Sequence, residues 1–372
     1  MQILKKILVS WLFLLIFTLP ITSFAIQIIK IAILDNVSDP YLPSTYEASY
    51  IAGIETATLA AKNKGYTIQY KTFFYGSTPL AILDKVPEVK AWRPDLIIGP
   101  GSSNQFLLLA KSFNNTLVLS PYASDQAIAN MPDNFYSLAL LDKEIGHIIV
   151  KFISGEFPNN NLVNVVAADC KDCVDMTNII SSQYAHYYPA ATITSNMYTG
   201  NSGDRSNQEL TYNYKSGDVI LVQPNTYIES EQLMYQVANY LGDNPIFISD
   251  LVNIGAPSDT TKSPNYTEYW FTPYLFDDNS PNFREFSKDY SSLYNSSTNN
   301  PIAFTVYLTI ISAVNALALY PQQNSKDMRA AILDSYTMAR ASNPYWYKTS
   351  NYAIYKIDPE QTKLIGTISA YD

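Results

Sequence analysis

Cys170-Lys171-Asp172-Cys173 is the short motif of this chain most able to carry chemistry by itself. It follows an apolar run and opens a helical stretch, and a helix N-terminus lowers the pKa of a thiol. Three readings stay open: one short structural disulfide, a thiol–disulfide exchange pair, or free thiols that capture a metal. The chain has only 2 cysteines, and in an oxidising compartment such a pair reads first as a disulfide. Exchange chemistry would need a thioredoxin-like domain cut out of the middle of a repeated pattern, and no Trp precedes Cys170. The 2 histidines, His147 and His186, fall in different segments with no Gly-x-Ser-x-Gly elbow. The adjacent Asp277 and Asp278 resemble a turn rather than two positioned acids. No catalytic residue and no metal site is assigned.

The remaining polar chemistry consists of hydroxyls and carboxylates scattered along the chain, and their use depends on what positions them. The chain has 372 residues, 47% hydrophobic and 15% charged, enough for two or three lobes with large cores and too apolar for disorder. With 24 basic against 33 acidic residues the formal charge is -9, which argues against a nucleic-acid partner. Its 13 glycines form no GxxxxGK[ST] or GxGxxG loop, so no nucleotide and no other cofactor is expected.

Residues 1–25 read as a cleaved export signal: Lys5 and Lys6, the apolar run Ile7–Leu19, then Ser23-Phe24-Ala25 with small residues suited to cleavage. The apolar stretch is short for a spanning helix. No later run is long enough to span a bilayer; Pro301–Leu319 is interrupted by Thr305, Thr309, Ser312 and Asn315. The remainder is expected to be soluble and exported to the periplasm.

After that leader, apolar strands alternate with helices. Strands are expected at Ile28–Leu34, Thr67–Phe73, Asp95–Gly99 and Leu117–Ser120, with helices at Ser49–Lys62, Thr78–Lys90 and Phe106–Phe113. The order then begins again: strands at Leu162–Ala167, Ala191–Met197, Asp218–Val222 and Ile246–Ser249, with helices at Thr177–Tyr187 and Glu229–Leu241. Asp95 and Asp218 enter buried strands at matching places in the two halves. Continuous apolar strands separated by helices predict an α/β fold of two lobes with parallel sheets. Such sheets bind ligands beyond the carboxyl ends of their strands. Those ends carry small hydroxyls, amides and carboxylates, with Tyr122 as the aromatic exception.

At these residues the chain resembles the type I periplasmic solute-binding proteins, specifically the branched-chain amino acid and amide (Leu/Ile/Val-binding) family of ABC importers. The resemblance rests on Tyr46 ahead of Ala52-Gly53-Ile54-Glu55-Thr56-Ala57, on Ile97-Ile98-Gly99-Pro100-Gly101-Ser102-Ser103, and on Ser120-Pro121-Tyr122-Ala123-Ser124. It implies that the hydroxyls of Ser103 and Ser124 hold a ligand carboxylate, that the Tyr122 carbonyl takes an ammonium, and that Tyr46 lines the site. Ser103 is expected at a helix entry, where free amides favour an anion; an N-cap role there is compatible. The second lobe departs from the pattern. Asp169 matches the acid of an Asp-x-x-Tyr-Gly stretch, but Asp172 replaces the tyrosine and Cys173 the glycine. Asp250 stands where an acid pairs the ammonium.

The resemblance further implies the type I periplasmic binding protein fold, two Rossmann-like lobes joined by a three-strand hinge. Lobe 1 is expected at 26–142 and 273–338, and lobe 2 at 143–272 and 339–372. The expected function is solute binding for an ABC permease in the inner membrane, by a monomer without enzymatic activity. A periplasmic sensor or envelope interaction protein on the same fold is the alternative. A thiol–disulfide oxidoreductase using Cys170 and Cys173 ranks below it.

Overall fold

The computed structural model describes residues 27–35, 44–76, 78, 80–158, 160–198, 214–215, 217–224, 227–241, 244–249, 266–272, 281–295, 300–319, 351–357 and 362–369. The leader 1–25, Asp250 and the Asp277-Asp278 pair lie outside them.

Isoleucines at alternate positions of β1 (Gln27–Asp35) explain why this strand is central. Ile29, Ile31 and Ile33 enter one core and Ala32 and Leu34 another, so both faces are buried. Around it lie β2 (Tyr66–Phe74), β3 (Leu96–Ile98), β4 (Leu117–Ser120) and β5 (Phe135–Ser137), in the order β2-β1-β3-β4-β5 with every neighbour parallel. One face is covered by α1 (Ser44–Asn63), which connects β1 to β2, and by two helices from late in the chain, α7 (Pro281–Tyr294) and α8 (Pro301–Leu319). The other face packs on α2 (Ala81–Trp92) and α3 (Ser103–Leu108), with the turns that follow.

Gly53 shows what the crossing of α1 and α8 requires. A Cβ there would lie 2.5 Å from the Ala303 carbonyl oxygen, closer than any side chain tolerates. The hydroxyls that interrupt α8 are buried, and Thr309 Oγ1 satisfies itself within the helix by donating to the Thr305 carbonyl at 2.8 Å. Among the described residues, no helix is long and apolar enough to cross a membrane.

The second sheet contains β6 (Leu162–Ala167), β7 (Ile193–Tyr198), β8 (Val219–Gln223), β9 (Ile246–Ser249) and β10 (Thr267–Thr272), followed by β11 (Asn351–Ile357) and β12 (Thr362–Ser369). Its order is β12-β11-β10-β9-β8-β6-β7. Helices α4 (Asp142–Glu156) and α5 (Lys171–Tyr187) cover one face, and α6 (Tyr227–Leu241) covers the other. The strands from β7 to β10 repeat the parallel order of the first sheet, with β6 in the place of β1 and β8 in that of β3. β11 and β12 then extend the sheet in the antiparallel sense. The second sheet is therefore mixed, where sequence periodicity predicts only parallel strands.

The two entering aspartates do the same work in each half. Asp95 Oδ2 accepts the Lys30 amide of β1 at 2.9 Å. Asp218 accepts the Asn161 side chain ahead of β6 at 3.2 Å and the Lys215 amide at 2.8 Å. Each carboxylate ties the leading edge of one strand to its neighbourhood, which accounts for its place in the pattern.

Candidate functional site

In a sheet of order 2-1-3-4-5, the chain leaves β1 and β3 in opposite directions, opening a crevice at their carboxyl ends. In the first sheet that crevice lies beyond Asp35 and Gly99; in the second, beyond Ala167 and Gln223.

Gly99 makes the first crevice possible. Its φ is +89°, and a Cβ would stand 2.3 Å from the Leu34 carbonyl oxygen of β1. Its amide donates to the Leu119 carbonyl at 2.7 Å, and the peptide bond to Pro100 is cis. The chain then turns through Gly101 and Ser102 into α3. Ser102, not Ser103, is the N-cap, and its side chain makes no capping bond. This corrects the N-cap role open for Ser103, which is the first residue inside a helix of only six residues.

The Ser103 hydroxyl has another occupation. It accepts the amides of Ser124 at 2.9 Å and Asp125 at 3.1 Å, while the side chain itself is buried. A serine oxygen has two acceptor sites and one proton. Both acceptor sites are used, so Ser103 has only a proton left to offer. Its chemistry toward a ligand is that of a donor, suited to a carboxylate.

Ser120 is the partner that motif reasoning missed. Its buried hydroxyl donates to the Pro100 carbonyl at 2.6 Å and accepts the amides of Ala123 at 3.0 Å and Tyr122 at 3.4 Å. The Ser124 carbonyl accepts the Asp142 amide at 2.8 Å, and the Ser137 hydroxyl donates to the Ala123 carbonyl. Two serines thus hold all four amides from Tyr122 to Asp125. The loop is pinned to α3, β5 and α4, so its side chains are presented by a fixed backbone. Tyr122 packs its half-buried ring against the core beneath α1 and α8. Tyr46 lies in α1, with its side chain outside the described residues.

The second crevice is built around the cysteines. Cys170 and Cys173 are joined as a disulfide with their Cα atoms 5.2 Å apart. Cys170 is the N-cap of α5, its Sγ accepting the Cys173 amide at 3.1 Å. Cys173 Sγ rests 3.3 Å from the Pro224 carbonyl oxygen at the end of β8. The bridge therefore seats the start of α5 on the sheet. Asp169 is exposed on the turn just before it.

Asp172 lies within the four-residue disulfide loop and reaches the first lobe: the Asn104 side chain of α3 donates to its carboxylate at 3.3 Å. Burial raises its carboxyl above the usual range. Lys171 opposes that rise, Asp125 and Asp175 add to it, and the Asn104 bond opposes it again. Lys171 itself bonds Asp175, which raises its pKa. Neither Asn104 nor Asp125 carries a sequence signal beyond its position beside an expected ligand serine. Ser103 and Ser124 are thus brought together, and Asp172 and Asn104 join the two crevices.

The histidines stand apart. His147 of α4 and His186 of α5 flank the Tyr187 ring at 6.5 and 5.8 Å. His186 is about 24 Å along α5 from Cys170 at a helical rise of ~1.5 Å per residue. Among the described residues, no three histidine, cysteine or acidic side chains cluster to hold a metal ion.

No protein-family model matches the chain, and no curated protein matches it by sequence. Solved structures do. The chain is similar to the branched-chain amino acid transporter substrate-binding protein LivJ from Streptococcus pneumoniae, solved with isoleucine. The TM-score is 0.72 at 14% identity, over 92% of this chain and 100% of that one. It is similar to the leucine-binding protein LivK from Thermotoga maritima, with a TM-score of 0.69 at 13% identity, over 92% and 99%. A solute-binding protein of an ABC transporter from R. palustris, solved with benzoate, gives 0.69 at 13%, over 92% and 97%. The shared architecture is the type I periplasmic binding protein fold, with two α/β lobes dominated by parallel strands. These neighbours are named as a substrate-binding, a leucine-binding and a solute-binding protein.

Proposed function

We propose that the chain is an exported solute-binding protein that takes a small carboxylate-bearing solute, such as an amino acid or a related compound, between its two lobes and presents it to an ABC permease. The observation that carries this reading is the Ser103 hydroxyl. Its acceptor sites are filled by the Ser124 and Asp125 amides, which leaves it the proton of a donor for a ligand in the crevice of the first sheet. Isoleucine, leucine and benzoate, named for the three neighbours, all carry a carboxylate. In this reading Ser103 and Ser124 hold that group on lobe 1, with Tyr46 and the Tyr122 carbonyl beside them. Asp169 and Asp250 belong to lobe 2, Asp250 taking an ammonium where the solute has one.

In this reading the hinge is assigned near residues 142, 273 and 339, the last two outside the described residues, dividing lobe 1 (26–142 and 273–338) from lobe 2 (143–272 and 339–372). Residues 1–25 direct export to the periplasm and are removed. Closing the lobes requires tighter binding to the closed form, because equal affinity for both forms shifts nothing. The permease then reads the closed pair of lobes.

Equilibrium dialysis tests the reading. The purified protein is dialysed against a mixture of amino acids and small aromatic and aliphatic acids, and the retained compound is identified by mass spectrometry. One carboxylate-bearing solute retained at one per chain is the expected result. Retention of none of them contradicts it.

A further inference from the structure

We propose that Asn104 and Asp172 form a latch that holds the two lobes together, and that the Cys170–Cys173 disulfide is built around Asp172 to aim it. The latch deepens, and rests on, the reading of the crevices as one interlobe binding cleft, because it would set how readily that cleft opens.

The geometry has three parts. Asn104 is the second residue of α3, next to Ser103, and belongs to the first sheet's lobe; Asp172 is the second residue of α5 in the other lobe. Their bond of 3.3 Å therefore crosses from lobe to lobe one residue away from the hydroxyl assigned to the solute. The second part is the cost of Asp172's position. Its side chain is half-buried near Asp125 and Asp175, an unfavourable setting for a carboxylate unless a donor is supplied. Lys171 bonds Asp175 and reaches Asp172 only through its charge, so it gives that carboxylate no hydrogen bond. Asn104 supplies the donor, and does so only when the lobes meet.

The third part is rigidity. The disulfide closes the backbone around Lys171 and Asp172, the Cys173 amide bonds back to Cys170, and Cys173 Sγ sits against Pro224. A side chain presented by a closed turn has less freedom to lose when it makes its contact. Asp172 is thus a positioning residue: it sets the lobe geometry without needing to touch the solute.

Small-angle X-ray scattering on the full-length purified protein, with no solute added, tests the latch. Asn104→Ala and Asp172→Ala should each move the open-to-closed ratio toward open by on the order of fivefold to tenfold, the effect of losing one hydrogen bond of ordinary strength, seen as a larger radius of gyration. The double variant should open no further than either single one. Asp172→Asn, which keeps an acceptor oxygen at the same place, should remain as compact as the wild type. Replacing both cysteines by serine should open the protein partway. Circular dichroism melts confirm that each variant is folded. Unchanged radii in both alanine variants, or a double variant that opens by the product of the two, overturns the latch. Because no solute is present, that failure leaves the solute-binding reading standing. Dialysis can likewise fail while the latch holds.

Discussion

The Ser103 hydroxyl accepts the Ser124 amide at 2.9 Å, so the two serines are one unit in which the first holds the backbone that presents the second. Their substitutions should consequently differ. Ser103→Ala leaves the Ser124 and Asp125 amides without their acceptor and should cost about 1–3 kcal/mol in stability as well as solute binding. Ser124→Ala keeps the backbone bond intact and should weaken binding with a stability change within about 0.5 kcal/mol. Urea unfolding of both variants beside a titration of the dialysis-identified solute measures each effect separately.

Gly99 and Gly53 should tolerate no side chain, for different reasons. Gly99 combines a left-handed backbone with the Leu34 carbonyl 2.3 Å from a would-be Cβ, and Gly53 meets the Ala303 carbonyl at 2.5 Å. Gly99→Ala should destabilise by about 2–4 kcal/mol through backbone strain plus overpacking, and Gly53→Ala by about 1–3 kcal/mol through overpacking at the helix crossing. Gly65, with a positive φ but open space around it, should lose only about 1 kcal/mol on change to alanine. Denaturant midpoints for the three variants give the ranking directly.

The Cys170–Cys173 bridge spans so few residues that its entropic contribution should be small. Its chain-entropy value is about 2 kcal/mol for a four-residue loop. Reduction with a dithiol, or Cys170→Ser with Cys173→Ser, should therefore lower the melting temperature modestly and leave the protein folded. The same account predicts no catalysis of insulin reduction; a rate matching that of a thioredoxin control would move the motif from structure to exchange chemistry.

Asp172 should also leave a mark on stability against pH. Its carboxyl is raised in the folded protein, mainly by burial. The native state then binds more protons than the unfolded chain between the two pKa values. Stability from this group is present below the unfolded value and is lost as pH rises through the folded one. Asp172→Asn does not titrate, so its stability relative to the wild type should improve on going from about pH 3.5 to pH 7. Paired denaturant curves at the two pH values would show the change, and a variant that instead loses ground as pH rises contradicts the assigned direction.

Much of the fold was legible because buried parallel strands have a strong signature. Ile246–Ser249 and Leu117–Ser120 match the expected strands residue for residue, and the expected helix over 229–241 gains two residues at its start. β5, only three residues long, offers no period to read. β10 passes unread for another reason: Thr267 and Glu268 are buried polar residues that break the apolar run. In the site, Ser103 was visible as a hydroxyl in a glycine-proline turn, but its acceptor role was not. That role depends on the Ser124 and Asp125 amides, which the pairing of β4 with β3 brings to the start of α3. Asn104 and Asp172 are 68 residues apart and follow no shared motif. Only the packing of two lobes gives that pair meaning.

Thermal unfolding against a solute panel tests the central claim most directly. The purified protein is melted with free amino acids, amides and aromatic acids, each over a range of concentrations. A solute at about a hundred times its dissociation constant stabilises the folded state by roughly 2.7 kcal/mol, a readily visible shift. The account predicts a concentration-dependent shift for a carboxylate-bearing solute that disappears in Ser103→Ala and survives in a distant control such as Lys85→Ala. No shift across the panel, or a shift that Ser103→Ala leaves intact, would contradict it.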